Sequence, residues 1–107
     1  MPSPASPPYL YLTTTGWKSG NPHEIEIWFT ELDGCFYLIS ETGEQAHWVQ
    51  NLQRQSQVTF RVGRRTFQGK GRVVDAKGEP ELHAAVSRRS GEKYDWGDGL
   101  VVELRPD

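Results

Sequence analysis

The chain has 107 residues and a mass of 12.2 kDa, too few to assemble two hydrophobic cores, so one domain over residues 9–107 is expected. Apolar residues are 36% of the sequence, under the usual share of about 45–50%, so a monomer would bury a modest core and a homodimer would supply the missing burial. A formal charge of −2 argues against a nucleic-acid binder, and a single cysteine excludes an internal disulfide framework and a Cys-based zinc site, which fits a reduced cytoplasmic setting.

Residues 1–8 are rich in Pro and Ser with neither a basic start nor an apolar stretch, so they read as a disordered tail rather than a signal peptide or membrane anchor. Residues 9–15 (Tyr-Leu-Tyr-Leu-Thr-Thr-Thr) follow two prolines and are aromatic, leucine and β-branched, which predicts a first strand. Gly16, Ser19, Gly20, Asn21 and Pro22 then force a turn. Its glycines can aim backbone amides at one point, Thr15 and Ser19 add hydroxyls, and Lys18 adds a full charge, a combination that suits phosphate. A solvated lysine in an exposed turn explains the same residues.

Residues 23–30 alternate, with Ile25, Ile27 and Phe29 on one face and Glu24, Glu26 and Trp28 on the other, as in a half-buried strand. Asp33-Gly34 is a type I′ hairpin pair, and residues 35–40 form the returning strand with Cys35 as a small buried hydrophobe. Thr42-Gly43-Glu44-Gln45 matches a capping box and predicts a helix in which Trp48, Val49 and Leu52 face the core while His47 and Asn51 share a face.

Val58, Phe60 and Val62 alternate into a turn at Gly63-Arg64, and residues 66–74 return as the second arm of a hairpin. Gly69 and Gly71 on one face of that arm permit a bulge, a barrel bend or close backbone approach, with barrel curvature the simplest of the three. Pro80, Leu82, Ala85 and Val86 predict a second short helix ending near Gly91, and residues 100–104 a last strand. The result is a mainly β (α+β) fold, a barrel of about six antiparallel strands with two short peripheral helices.

No acidic residue occurs from position 45 to 74, where Arg54, Arg61, Arg64, Arg65, Lys70 and Arg72 lie. A solvated sheet face and a surface for a small anionic ligand both fit this stretch. His23, His47 and His83 are not spaced as metal ligands, and hydrolase, Rossmann and P-loop motifs are missing.

The run from Thr13 through Lys18, Ser19, Gly20, Asn21, Pro22 and His23 into Ile25-Glu26-Ile27-Trp28-Phe29 resembles the signature of the deazaflavin-dependent nitroreductase family. That family is a branch of the split-barrel flavin and deazaflavin oxidoreductases, which are pyridoxamine-phosphate-oxidase-like. Ser40, residues 47–52, residues 58–63, Thr66-Phe67, Tyr94 and Trp96 extend the similarity in the same order.

The resemblance implies a homodimeric split β-barrel that binds the deazaflavin coenzyme 420, or FMN in related branches, and passes hydride to a quinone, nitro compound or similar conjugated small-molecule acceptor. It places Thr15, Gly16, Lys18 and Ser19 at the cofactor's phosphate or acidic tail, with His23 in a position usually basic. It puts Ile25 and Trp28 beside the ring, Ser40, His47, Trp48 and Asn51 near the groove, and the Tyr94 hydroxyl on the substrate side. Trp17 and Glu41 depart from the basic or small residues usual there, which leaves a non-catalytic binding or carrier module as the alternative from another class. Neither a membrane nor a nucleic acid is an implied partner.

Overall fold

Strand β1, Tyr9–Thr15, buries Leu10, Leu12 and Thr14 and turns Tyr11, Thr13 and Thr15 to its other face. It pairs antiparallel with β2, Pro22–Trp28, from Tyr9 opposite Trp28 to Thr15 opposite Pro22, so the Lys18 turn closes this hairpin. These coordinates are a computed structural model that describes residues 9–16, 18–97 and 99–107; the expected tail at 1–8 and the departure at Trp17 lie outside the described residues.

The single strand expected over residues 23–30 is divided. It stops at Trp28, and Thr30–Leu32 forms a separate strand, β3, paired with β4, Cys35–Ser40. Asp33 at φ 52° and Gly34 at φ 81° form the β3–β4 turn, both with the positive φ that a type I′ turn requires. The remaining strands are β5, Gln57–Val62, β6, Arg65–Val74, and β7, Leu100–Pro106.

All seven belong to one antiparallel sheet in the order β2-β1-β5-β6-β7-β4-β3. β2 and β3 occupy opposite edges of that sheet, yet only Phe29 separates them in the chain. The sheet therefore has to curl until its edges meet at Phe29, and the result is a split β-barrel. Leu10, Leu12, Phe36, Leu38, Phe60, Val102 and Leu104 fill its interior.

Helix α1, His47–Arg54, closes one end by burying Val49, Asn51 and Leu52. It does not start at the expected capping box. Gly43 has φ +65°, a left-handed conformation that cannot open an α-helix, so Gly43–Gln45 form one short 3₁₀ turn, with no side-chain cap from Thr42. The Ser40 hydroxyl donates to the Gly43 carbonyl instead, at 2.8 Å.

Helix α2, Pro80–Tyr94, runs three residues past the expected end and covers a second apolar cluster of Tyr37, Ile39, Val74, Val86 and Val101. Cys35 is only partly buried at the edge of that cluster.

On β7, Glu103 is 3% exposed. It accepts hydrogen bonds from Tyr37 Oη at 2.9 Å, Arg72 Nε at 3.0 Å and Arg72 Nη2 at 3.2 Å, while Arg72 also reaches Glu79 at 2.6 Å. Burial, then the bond to Glu103, pushes the Tyr37 hydroxyl's pKa well up, and the Arg72 guanidinium holds the Glu79 carboxyl below its usual value. Arg72 lies in the acid-free stretch of sequence, but folding supplies two acids from outside that stretch.

Candidate functional site

Two grooves adjoin at Trp48. The first, of about 670 Å³, is built on the β1–β2 turn and the start of α1. Gly16, Lys18, Ser19, His23 and Ile25 line one side and His47, Trp48 and Asn51 the other, so eight of the residues singled out in the sequence come together here. The second groove, of about 820 Å³, holds Trp28 and Ser40 and shares Trp48.

Thr15 and Tyr94 line neither groove. Strand alternation explains Thr15: Leu10, Leu12 and Thr14 face inward, so the groove-side threonine is Thr14. That parity was readable in the sequence, and it would have selected Thr14 over its neighbour. Asn51 Nδ2 donates to Thr14 Oγ1 at 3.1 Å, tying α1 to β1 beneath the groove and fixing the helix turn that carries His47.

The glycine turn is arranged differently from the amide cluster expected of it. The Gly16 amide donates to Asn21 O and the Gly20 amide to Gly16 O, each at 2.8 Å, and the Asn21 amide donates to Ser19 Oγ at 3.2 Å. Those three amides close the loop on itself. The side chains of Lys18, Ser19 and His23 line the groove beside it.

A Cβ on Gly16 would lie 2.7 Å from Ser19 Oγ and 2.8 Å from His23 Nε2. The serine and histidine side chains thus fold over a position that has none, and a Cβ there would displace their flexible ends from the groove. The basic stretch from Arg54 to Arg72 contributes nothing to the lining of either groove.

Tyr94 works at the barrel corner. Its hydroxyl donates to Phe29 O at 2.9 Å and accepts from Phe29 N at 3.1 Å, and Lys93 Nζ donates to the same carbonyl at 3.0 Å. Burial raises the hydroxyl's pKa and lowers that of Lys93. The Tyr94 ring stacks on Trp28 at 4.5 Å and 1°, so the residue that pins the corner also backs the groove wall. Tyr94→Phe should keep the stack but strand the Phe29 amide, costing about 1–3 kcal/mol; urea unfolding of the two proteins measures it.

Tyr9, Glu26, Glu41, Thr42 and Trp96 also line the second groove. Pairing placed Tyr9 opposite Trp28, and α2 brought Trp96 within 6.3 Å of it, neither of which is visible in local sequence.

This joined pair of grooves, one with basic side chains and one walled by indoles, sits in a chain whose residues 3–99 match the sequence profile of F420H(2)-dependent quinone reductase. The chain belongs to that family. It is thus an oxidoreductase, and a member of the deazaflavin branch that the Lys18 turn resembles.

Solved structures of similar fold include the F420-H2 dependent reductase FDR-A, 20% identical with a TM-score of 0.74 over 92% of this chain and 94% of that one. The heme storage protein HutZ from Vibrio cholerae is 18% identical, TM-score 0.76, covering 94% of this chain and 82% of that one. A conserved hypothetical protein from Mycobacterium tuberculosis is 22% identical, TM-score 0.76, covering 95% and 74%. At such identities the likeness is one of fold. No curated protein matches in sequence. Among the reductase's described residues, no helix is long and apolar enough to cross a membrane.

Proposed function

We propose that this protein is a deazaflavin-dependent reductase that delivers hydride to a quinone, nitro compound or similar conjugated acceptor. The observation that carries the reading is the Gly16 cradle, where the side chains of Ser19 and His23 close over a glycine beside Lys18 at the mouth of a groove that continues into aromatic walls. The residues fit an anionic cofactor tail: the Ser19 hydroxyl and the His23 imidazole meet over Gly16, and Lys18 lines the same groove.

Lys18 and Ser19 bind the phosphate, and His23 and His47 extend the donor set. Ile25 and Trp48, where the two grooves join, would orient a flat ring with Trp28 at its far edge and keep water from it, while Asn51 and Ser40 hold the groove walls through Thr14 and the Gly43 carbonyl. The bound deazaflavin would supply the hydride chemistry, so no side-chain nucleophile is needed.

A homodimer belongs to the same reading and is supported by the low apolar content. FMN is the second reading, because one phosphate needs fewer cations than an acidic tail and the first groove offers Lys18, His23 and His47. The absorption spectrum of the cofactor released from the purified protein, flavin or deazaflavin, separates the two.

Titration with oxidised coenzyme 420 should quench or shift its fluorescence with sub-millimolar affinity, and no response to it or to FMN would overturn the reading. Lys18→Ala should weaken cofactor binding by roughly 1–2 kcal/mol, about 5- to 30-fold in Kd, if it makes a charge-assisted bond to phosphate. The same titration on the variant checks it.

A further inference from the structure

Charge is divided between the two grooves. The first carries Lys18, His23 and His47 with one acid, Glu24. The second is walled by Trp28, Trp48, Trp96 and Tyr9, and its charged lining residues are Glu26 and Glu41, with no Lys, Arg or His among the described lining residues.

Indole and phenol faces carry negative potential and attract a cation lying over them. Carboxylates at the rim add Coulomb attraction for a cation and repulsion for an anion of the same shape. Trp28 is a firm part of this wall, lying flat on Tyr94, whose hydroxyl is fastened to the Phe29 backbone, while Trp28 itself stays 47% exposed and open to a ligand.

We propose that the second groove binds a planar, conjugated organic cation, and that such a cation is the acceptor this enzyme prefers. The preference as acceptor rests on the reductase reading above; the binding does not. The charge also suits turnover. Accepting a hydride, two electrons with one proton, makes a singly charged ring neutral. The C–H bond formed on the ring replaces the one broken in the reduced deazaflavin, which gives up its ring N–H proton to water and leaves oxidised. The neutral product no longer has a charge to hold it beside Glu26 and Glu41, so release follows reduction.

Two tricyclic dyes of similar shape and opposite charge test this. Equilibrium dialysis of cofactor-free full-length protein at low salt should show the cation methylene blue binding at least about tenfold tighter than the anion resorufin. The gap should narrow as salt rises, because exposed charges are screened. The double variant Glu26→Gln/Glu41→Gln should bring the two affinities within about threefold of each other, with thermal unfolding confirming that it folds.

Equal binding of the two dyes to the unsubstituted protein would overturn the proposal, and so would a preference that survives the double substitution. If the double variant fails to fold, the salt dependence together with Trp28→Ala, which should weaken methylene blue binding, decides the matter. Coenzyme 420 is titrated into separate, dye-free samples of the same protein. Its failure to bind beside an intact dye preference removes the reductase reading alone, and cofactor binding without a dye preference removes this inference alone.

Discussion

Gly69→Ala should severely destabilise the barrel. A Cβ at this position would stand 2.2 Å from the Arg105 carbonyl oxygen and 3.1 Å from the Pro106 Cα, both backbone atoms of the paired strand β7. No rotamer change relieves that contact, so β6 and β7 must separate locally and loosen the ladder that runs from Gly69 opposite Pro106 to Val74 opposite Val101. The expected cost is about 3 kcal/mol, the upper end of overpacking, and at about 4–8 °C per kcal/mol for a domain near this size the melting temperature falls by more than 10 °C or so. Gly71→Ala is the control. Its nearest neighbours would be side-chain carbons of Leu104 and Leu52 at 3.4 and 3.5 Å, which can shift, so calorimetry should show a clearly smaller loss.

Arg72→Met should come second, for an electrostatic reason. It leaves the Glu103 carboxylate, 3% exposed, with the Tyr37 hydroxyl and an Arg105 Nε at 3.7 Å as its remaining partners. Stripping a buried carboxylate of its cation costs about 3–5 kcal/mol, and the low end applies here because the Arg72 side chain is itself 46% exposed. Arg72→Met/Glu103→Leu removes the stranded charge as well and should recover part of the loss, the remainder reflecting the Tyr37 hydroxyl that loses its acceptor. Chemical denaturation of the single and double variants tests this; a double variant no more stable than Arg72→Met would mean that the guanidinium stabilises chiefly by covering apolar surface with its methylenes.

Much of the candidate site was legible because its residues sit close together in sequence. The β1–β2 turn is a hairpin, so Gly16, Lys18, Ser19 and His23 meet whatever the rest of the chain does. His47 and Asn51 share a helix face by periodicity alone, and Asp33-Gly34 encodes its turn through the positive φ both residues adopt. The capping box misled, because a Thr-x-x-Gln pattern does not reveal that the glycine inside it is left-handed.

Local sequence therefore determined the strand and helix periods, the tight turns and a mainly antiparallel barrel with its basic turn, and the family resemblance implied the split-barrel class. Tertiary structure alone decided where the barrel closes, because the break of one alternating run at Phe29 depends on β2 and β3 finding partners at opposite edges of a seven-stranded sheet. It also gave Tyr94 its bonds to the Phe29 backbone, 65 residues away, and gave Arg72 two acids from outside its acid-free stretch. Finally, it set three tryptophans and two glutamates around one groove. Each of these is a long-range contact, made when the sheet curls, and a periodic pattern carries no information about which distant strand or helix will lie against it.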